Sequence, residues 1–131
     1  MFFKKNFHLI GNEEFLEKLP DEFFEELVGL LISYKIEVRE SALEIIYCIS
    51  DQKIPNKVRL GKQFRCIQRL VALVCSHSVE NKIQKFAACT LANLATVPSI
   101  LTMITSYEQE LFIAATTDES ISKILLGILN N

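Results

Sequence analysis

A helical pattern of apolar residues recurs three times along this chain. Residues 38–49 superpose on residues 83–94 at an offset of 45 positions, and the apolar positions of the two segments coincide. A third copy at residues 121–129 follows the second at an offset of 38 positions. Units of this length bury their apolar faces against neighbouring units, because one unit alone has no second layer to cover it. The sequence therefore predicts a stack of helical repeats.

The composition supports helices and a single domain. Four glycines and three prolines in 131 residues are too few for the turns of a β-sandwich or barrel. Half of the residues are hydrophobic and 23% are charged, which suffices to bury a core in a chain of ordinary domain length. We predict one all-α domain over residues 1–131, with three-helix repeats at roughly 13–50, 54–96 and 98–131.

Proline, glycine and short polar connections divide the repeats into predicted helices. These cover residues 21–33, 36–50, 56–61, 64–76, 83–95, 98–105, 107–116 and 119 to the C-terminus. Asp21, directly after Pro20, is predicted as an N-cap, and Asp118 is predicted to cap the last helix. Phe64 falls in the apolar stripe of its helix. Small residues crowd the helix at 83–95, which predicts close packing against its neighbours.

Cysteine usage and the N-terminus bear on the cellular compartment. The four cysteines are Cys48, Cys66, Cys75 and Cys89. They form no CxxC pair, and a chain with its own core needs no disulfide framework, so we expect buried thiols in a reducing compartment. Lys4 and Lys5 interrupt the apolar N-terminal stretch, and no window approaches the roughly 18 apolar residues of a membrane span. An intracellular protein with no membrane partner is expected.

Charge is distributed unevenly along the chain. The formal net charge is −6 in residues 1–52, +7 in residues 53–85 and −3 in residues 86–131. Within the basic segment, residues 53–85, the cations Lys62, Arg65 and Arg69 stand at i, i+3 and i+7, which predicts three cations on one helical face. That face is a solvated or internally paired surface, a docking site for an acidic protein, or a site for a nucleic-acid backbone. We do not expect direct DNA binding, because the neighbouring N-terminal helix is acidic enough to neutralise some of these cations.

Few residues suit catalysis or metal binding. His8 and His77 are the only histidines, and a Cys75 or Cys89 nucleophile with His77 as its base is the one arrangement to weigh against buried, inert cysteines. Zinc needs about four ligands in closely spaced pairs, which the sequence lacks. No glycine-rich phosphate-binding motif occurs. We predict no enzyme activity, no cofactor, no metal and no small-molecule substrate.

The string AACTLANLA at residues 87–95 resembles the third helix of armadillo repeats. This resemblance implies a right-handed armadillo-like α-solenoid of about three three-helix repeats. It also implies a concave groove lined by the third helices, in which Asn93 matches the asparagine that clamps an extended peptide, with Lys85 and Cys89 on the same face. The positions equivalent to Asn93 are Cys48 and Asn131. A peptide-binding adaptor is one function that follows from this resemblance.

A narrower resemblance concerns residues 21–131. The strings ALEIIYCI at residues 42–49, KVRL at 57–60 and IQRLVALV at 67–74 resemble the C-terminal helical repeats of AT-rich-interaction-domain subunits of SWI/SNF chromatin remodellers. The resemblance implies a protein-protein interaction scaffold for transcription regulation, bound to other subunits of a nuclear complex. The chain would then be a fragment of a larger solenoid without the DNA-binding domain of that family.

The last repeat is expected to leave apolar surface open. A solenoid needs terminal caps with polar outer faces, and no further capping helix follows the third copy. The residues assigned to a terminal docking surface are Ile124, Leu125, Leu126 and Leu129. A second apolar cluster lies within residues 2–10. We therefore expect the isolated chain to self-associate or to be stable only beside a partner.

Overall fold

A computed structural model describes residues 11–130, and this part of the chain contains nine α-helices and no strand. The first group comprises α1 (Glu13–Glu17), α2 (Asp21–Leu30) and α3 (Ile36–Ser50). The second comprises α4 (Ile54–Gly61), α5 (Cys66–Cys75) and α6 (Asn81–Leu94). The third comprises α7 (Pro98–Thr105), α8 (Glu108–Thr117) and α9 (Glu119–Leu129). The all-α prediction is confirmed. Asn131 and residues 1–10, which hold His8 and the N-terminal apolar cluster, lie outside the described residues.

Several helices pack against the corresponding helix of the next group. The third helix α6 contacts α3 on one side and α9 on the other. The second helices α5 and α8 are in contact, as are the first helices α1 and α4. Within each group the second helix packs on the third. The molecule therefore has a helical repeat-like arrangement, in which each group buries its apolar side against the next.

Small side chains let α6 occupy the middle of this arrangement. Ala87 and Ala88 are both completely buried, as is Leu91 one turn further along. At the position equivalent to Ala88, α3 carries Leu43, which is also buried. Because α6 has a neighbour on each side, alanines at these positions allow both neighbours to approach closely, as the small-residue pattern predicts.

The predicted N-cap of α2 is wrong, and four predicted helix starts differ by one or two residues from those of α4, α5, α6 and α8. Pro20, not Asp21, holds the N-cap position of α2, and Asp21 is its first residue. The helix predicted from Phe64 begins at Cys66, because Arg65 adopts a left-handed backbone with φ 62°. Phe64 precedes that residue and is 74% exposed instead of lying in the core. Apolar spacing alone contains no signal for a left-handed residue that interrupts a helix.

Gly61 ends α4 at a close approach to α7. A Cβ atom at Gly61 would lie 2.6 Å from Cδ1 and 3.1 Å from Cγ1 of Ile100, which is buried. We therefore expect Gly61→Val to lower the free energy of unfolding by about 1–3 kcal/mol, because the branched side chain overpacks this junction. Urea denaturation measures the change.

Gly127 in α9 provides the control for this prediction. Nothing lies within 4 Å of a Cβ atom built there, so Gly127→Ala should raise the free energy of unfolding by about 0.5–1 kcal/mol through helix propensity alone. An unchanged denaturation midpoint for Gly61→Val would contradict the close approach of α4 and α7.

Candidate functional site

An aromatic pair joins the outer sides of the third helices α3 and α6. The rings of Tyr47 in α3 and Phe86 in α6 have centroids 5.3 Å apart at an interplanar angle of 69°. This edge-to-face geometry is favourable for aromatic rings. Both side chains are half-buried, so each ring also presents part of its surface to solvent. The pair therefore provides apolar surface across the junction of two repeats.

Two depressions adjoin this pair and together cross all three third helices. The first, of about 370 Å³, is lined by Tyr47, Lys82, Lys85, Phe86 and Cys89. The second, of about 430 Å³, is lined by Tyr47, Cys89, Ala92, Asn93, Lys123, Ile124, Gly127 and Ile128. Because Tyr47 and Cys89 line both, the depressions form one trough. We call these lining residues the third-helix surface.

The charged residues that line the trough are lysines of α6 and α9. Lys85 on α6 and Lys123 on α9 are exposed and occupy equivalent positions at the 38-residue offset. The equivalent residue of α3 is Glu40, and Glu44 stands at the position equivalent to Cys89. The lysines that line the trough therefore lie on α6 and α9, whereas α3 carries Glu40 and Glu44 at the corresponding sequence positions.

The three residues assigned to the groove, Lys85, Cys89 and Asn93, do line this trough together. Asn93 is also an internal contact, because its side-chain Nδ2 donates to Ser50 Oγ at 3.1 Å. The backbone carbonyl of Asn93 accepts from Lys57 Nζ at 3.0 Å. The side-chain Nδ2 of Asn93 is therefore already used in a hydrogen bond to α3. Sequence spacing predicted that these three residues share a surface. It contained no signal for the hydrogen bond between Asn93 and Ser50, which joins α6 to α3.

The predicted row of three cations on one helical face is wrong. Lys62 is the C-cap residue of α4, and Arg65 is the left-handed N-cap residue of α5. Only Arg69 lies within α5, where its Nη1 donates to the carbonyl of Val28 in α2 at 2.9 Å. The left-handed residue breaks the helix between the first and last cation, so the i, i+3, i+7 spacing does not describe a common face.

Half of the eight cations in the basic segment make hydrogen bonds or ion pairs within the chain. Those four are Lys53, Lys57, Arg59 and Arg69. Lys53 pairs with Glu13 at 3.5 Å, and Arg59 pairs with Asp21 at 3.1 Å, so α4 faces part of the acidic charge of α1 and α2. The other four cations, Lys62, Arg65, Lys82 and Lys85, have no ion pair to any described residue. Two of them flank the trough, and the other two stand at the turn between α4 and α5.

Neither Cys75, which lies near His77, nor Cys89, which lies near Lys85, provides an activated thiol. Cys75 and His77 line the same depression of about 190 Å³, but the Cys75 thiol donates to the backbone carbonyl of Glu110 at 3.6 Å. Burial and the Glu110 carboxylate raise the pKa of Cys75. Burial also raises the pKa of Cys89, although Lys85 lowers it in part. These thiols stay protonated at neutral pH, whereas a cysteine nucleophile needs the thiolate.

Cys66 is completely buried at the start of α5. Burial raises the pKa of Cys66 to about 12, in keeping with a core cysteine. No group of three or more His, Cys, Asp or Glu side chains within residues 11–130 is placed to hold a metal ion. Nor does the range contain a helix of the length and apolarity that a membrane crossing requires.

The predicted terminal docking surface needs one correction. Leu125 is completely buried in the core and offers no surface to a partner, because it lies on the inner side of α9. Leu126 and Leu129, like Ile124, are half-buried. In α6 the equivalents of Leu126 and Leu129 are Ala88 and Leu91, both completely buried. Apolar positions that are completely buried in α6 are therefore partly exposed in α9.

Comparison with protein-family models, with curated proteins and with solved structures found no significant match. The armadillo and chromatin-remodeller resemblances therefore stay predictions from the sequence. The surfaces described above are the physical basis for a function.

Proposed function

We propose that this chain is a non-catalytic scaffold domain that binds another protein along the third-helix surface. The observation that carries the proposal is the continuous trough over α3, α6 and α9. It combines the half-buried Tyr47–Phe86 pair with three lysines, Lys82, Lys85 and Lys123, so a partner would find apolar and charged contacts side by side. Apolar anchors surrounded by polar contacts are typical of protein-binding surfaces.

The fold proposed for this scaffold is a right-handed armadillo-like α-solenoid of three three-helix repeats. Contact between corresponding helices of successive groups supports it. The growth in helix length within each group, which ends on a third helix of 11 to 15 residues, supports it as well. In such a stack the third helices form one wall, which is where the trough lies.

The trough has the dimensions of a short peptide segment. Packed helices are separated by about 8–10 Å, so three helices side by side extend over roughly 16–20 Å between their outer axes. An extended segment of about five or six residues has this length. The second candidate function, a peptide-binding adaptor that uses Lys85, Cys89 and Asn93, is favoured by this match and uses the same surface.

A nucleic-acid-backbone binder through residues 53–85 receives less support. Four of the eight cations in this segment already contact carbonyl or carboxylate groups of the same chain. Backbone binding needs many simultaneous phosphate contacts, because each neutralised phosphate adds only a modest increment to affinity. Membership of a nuclear SWI/SNF-type complex is proposed on the sequence resemblance alone, and its test is the identity of the bound partner.

Site-specific photo-cross-linking tests the proposed surface. A photoreactive amino acid at Tyr47 of the full chain should form cross-links to a partner protein in nuclear extract. The same group at Ala72, an exposed residue of α5, should not form them. Mass spectrometry identifies the partner, and subunits of a chromatin remodeller would support the narrower proposal. Equal cross-linking from both positions would contradict a specific surface.

A charge introduced into the trough should disrupt binding without unfolding the chain. We expect Cys89→Arg to reduce the yield of cross-linked partner about tenfold, because it fills the junction of both depressions. Cys89 is half-buried, so the longer side chain can extend to solvent. Ala72→Arg adds the same charge on an exposed face and should leave the yield unchanged. Circular dichroism checks that both variants keep their helical content.

A further inference from the structure

The turn between α4 and α5 presents an unusual pair of side chains to solvent. We call residues 62–65 the 62–65 turn. Phe64 is 74% exposed, and the guanidinium carbon of Arg65 lies 4.9 Å from the centroid of the Phe64 ring. This cation-π contact holds a positive charge directly beside an exposed aromatic surface. The pair is separate from the third-helix surface and has no role in the function proposed above.

The backbone of the turn holds the pair in place. Arg65 has φ 62° and is the one non-glycine residue with positive φ among residues 11–130. A side chain with a Cβ atom is disfavoured in this conformation, which glycine adopts readily. The arginine side chain contacts the Phe64 ring and makes no ion pair within the described part of the chain. Its charge is therefore available to a partner.

The surroundings of the turn combine cations with apolar and uncharged polar side chains. Lys62 is exposed and, like Arg65, without an ion pair to any described residue. A depression of about 290 Å³ beside Arg65 is lined in part by Met103 and Tyr107, and no carboxylate lines it. Met103 is 44% exposed. The local charge is thus uncompensated, in contrast to the cations of α4 that face the acidic helices α1 and α2.

We propose that the 62–65 turn docks an acidic segment of a partner protein that carries an apolar side chain. Carboxylates of the segment pair with Arg65 and Lys62, and Arg65 offers a planar fork suited to two carboxylate oxygens. The apolar side chain packs on the Phe64 ring and enters the depression beside Met103. Charge complementarity favours an acidic segment. The exposed Phe64 ring favours a segment in which an apolar residue stands beside the acidic residues.

A protein segment fits this site better than a nucleic acid does. Two uncompensated cations allow about two phosphate contacts, whose binding is weak and is lost at physiological salt. Single strands also need several stacked aromatic residues, and the turn supplies one. An acidic segment needs only two carboxylates and one apolar anchor, which the turn matches.

Titration of the isotope-labelled full chain by NMR tests the proposal. The probe is a short synthetic peptide with a central Leu-Leu pair between runs of Glu and Asp. We expect it to shift the amide signals of residues 62–68 and 103–107. The matched peptide with Gln and Asn in place of the acids should bind at least about tenfold more weakly. Equal affinity for both peptides, shifts confined to other residues, or tighter binding of a poly-dT strand of equal charge would overturn the proposal.

Two variants separate binding from folding. Arg65→Gly removes the guanidinium but suits the left-handed backbone, so its melting temperature should not fall while affinity for the acidic peptide falls about tenfold. Phe64→Ala removes the ring at an exposed position and should weaken binding similarly. Phe112→Ala, which truncates another exposed phenylalanine, in α8, is the control and should leave binding unchanged. Full affinity in Arg65→Gly and Phe64→Ala, or equal loss in Phe112→Ala, would refute the site.

Discussion

Replacing Arg59 with alanine is expected to lower the free energy of unfolding by about 2–4 kcal/mol, because one guanidinium joins α4 to α1 and α2. Its Nη1 donates to the carbonyl of Leu16 at 2.9 Å, and its Nη2 donates to the carbonyl of Leu19. Its Nε donates to Asp21 Oδ1 at 3.1 Å. The guanidinium carbon also lies 4.3 Å from the centroid of the buried Phe24 ring. Alanine would leave both carbonyls without this donor.

The carbonyl bonds, not the ion pair, should account for most of this loss. The Asp21 side chain is 77% exposed, and exposed ion pairs contribute little. Arg59→Lys keeps the charge but lacks the planar fork, so it should recover less than half of the lost stability. Lys62→Ala, at an exposed position, should change the free energy by less than about 0.5 kcal/mol. Urea denaturation measures these free energies of unfolding. A variant Arg59→Lys as stable as the original chain would contradict this explanation.

Gln84→Glu is expected to lower the free energy of unfolding by about 2–4 kcal/mol at neutral pH, although it hardly changes side-chain volume. The Nε2 atom of Gln84 donates to the carbonyls of Val74 at 3.1 Å and Ser76 at 2.8 Å, at the end of α5. Gln84 itself is only 8% exposed. A carboxylate there would turn its negative charge toward two carbonyl oxygens and donate to neither.

The loss in Gln84→Glu should depend on pH. Burial and the two carbonyl oxygens would raise the pKa of the new carboxyl in the folded state above the value of about 4.3 in the unfolded chain. The penalty is therefore smallest below about pH 4.3 and grows as pH rises through the folded-state pKa. Denaturation at acidic and at neutral pH measures this difference. Gln109→Glu, at an exposed position, is the control, and a pH-independent loss in Gln84→Glu would point to packing instead.

Sequence patterns predicted most helices because their ends carry local signals. Pro98 begins α7 as predicted, and the Asp118 side chain accepts from the backbone N–H of Ser120 at the start of α9. The short helix α1 was not predicted separately, because five residues contain too little periodicity to distinguish a helix from a polar turn. The start of α5 was missed because the left-handed conformation of Arg65 has no residue-type signal such as glycine.

The candidate site was predictable only within one helix. Lys85, Cys89 and Asn93 recur every four residues and therefore share a face of α6. The contact of Phe86 with Tyr47 joins residues of different repeats, and spacing along one segment does not determine which side chains meet across two helices. The same limit applies to the cations of residues 53–85, whose partners lie up to about 40 residues away.

The central position of α6, between α3 and α9, has a mechanical consequence. A helix held on both sides resists opening, whereas helices held on one side separate at a lower free-energy cost. Among the helices of residues 11–130, local opening should therefore cost more free energy at α6 than at α3 or α9. A partner that lies along α3, α6 and α9 would contact a more rigid helix, α6, between two more flexible helices, α3 and α9. The first and last repeats could then tilt to follow the curvature of that partner while the central repeat keeps its register.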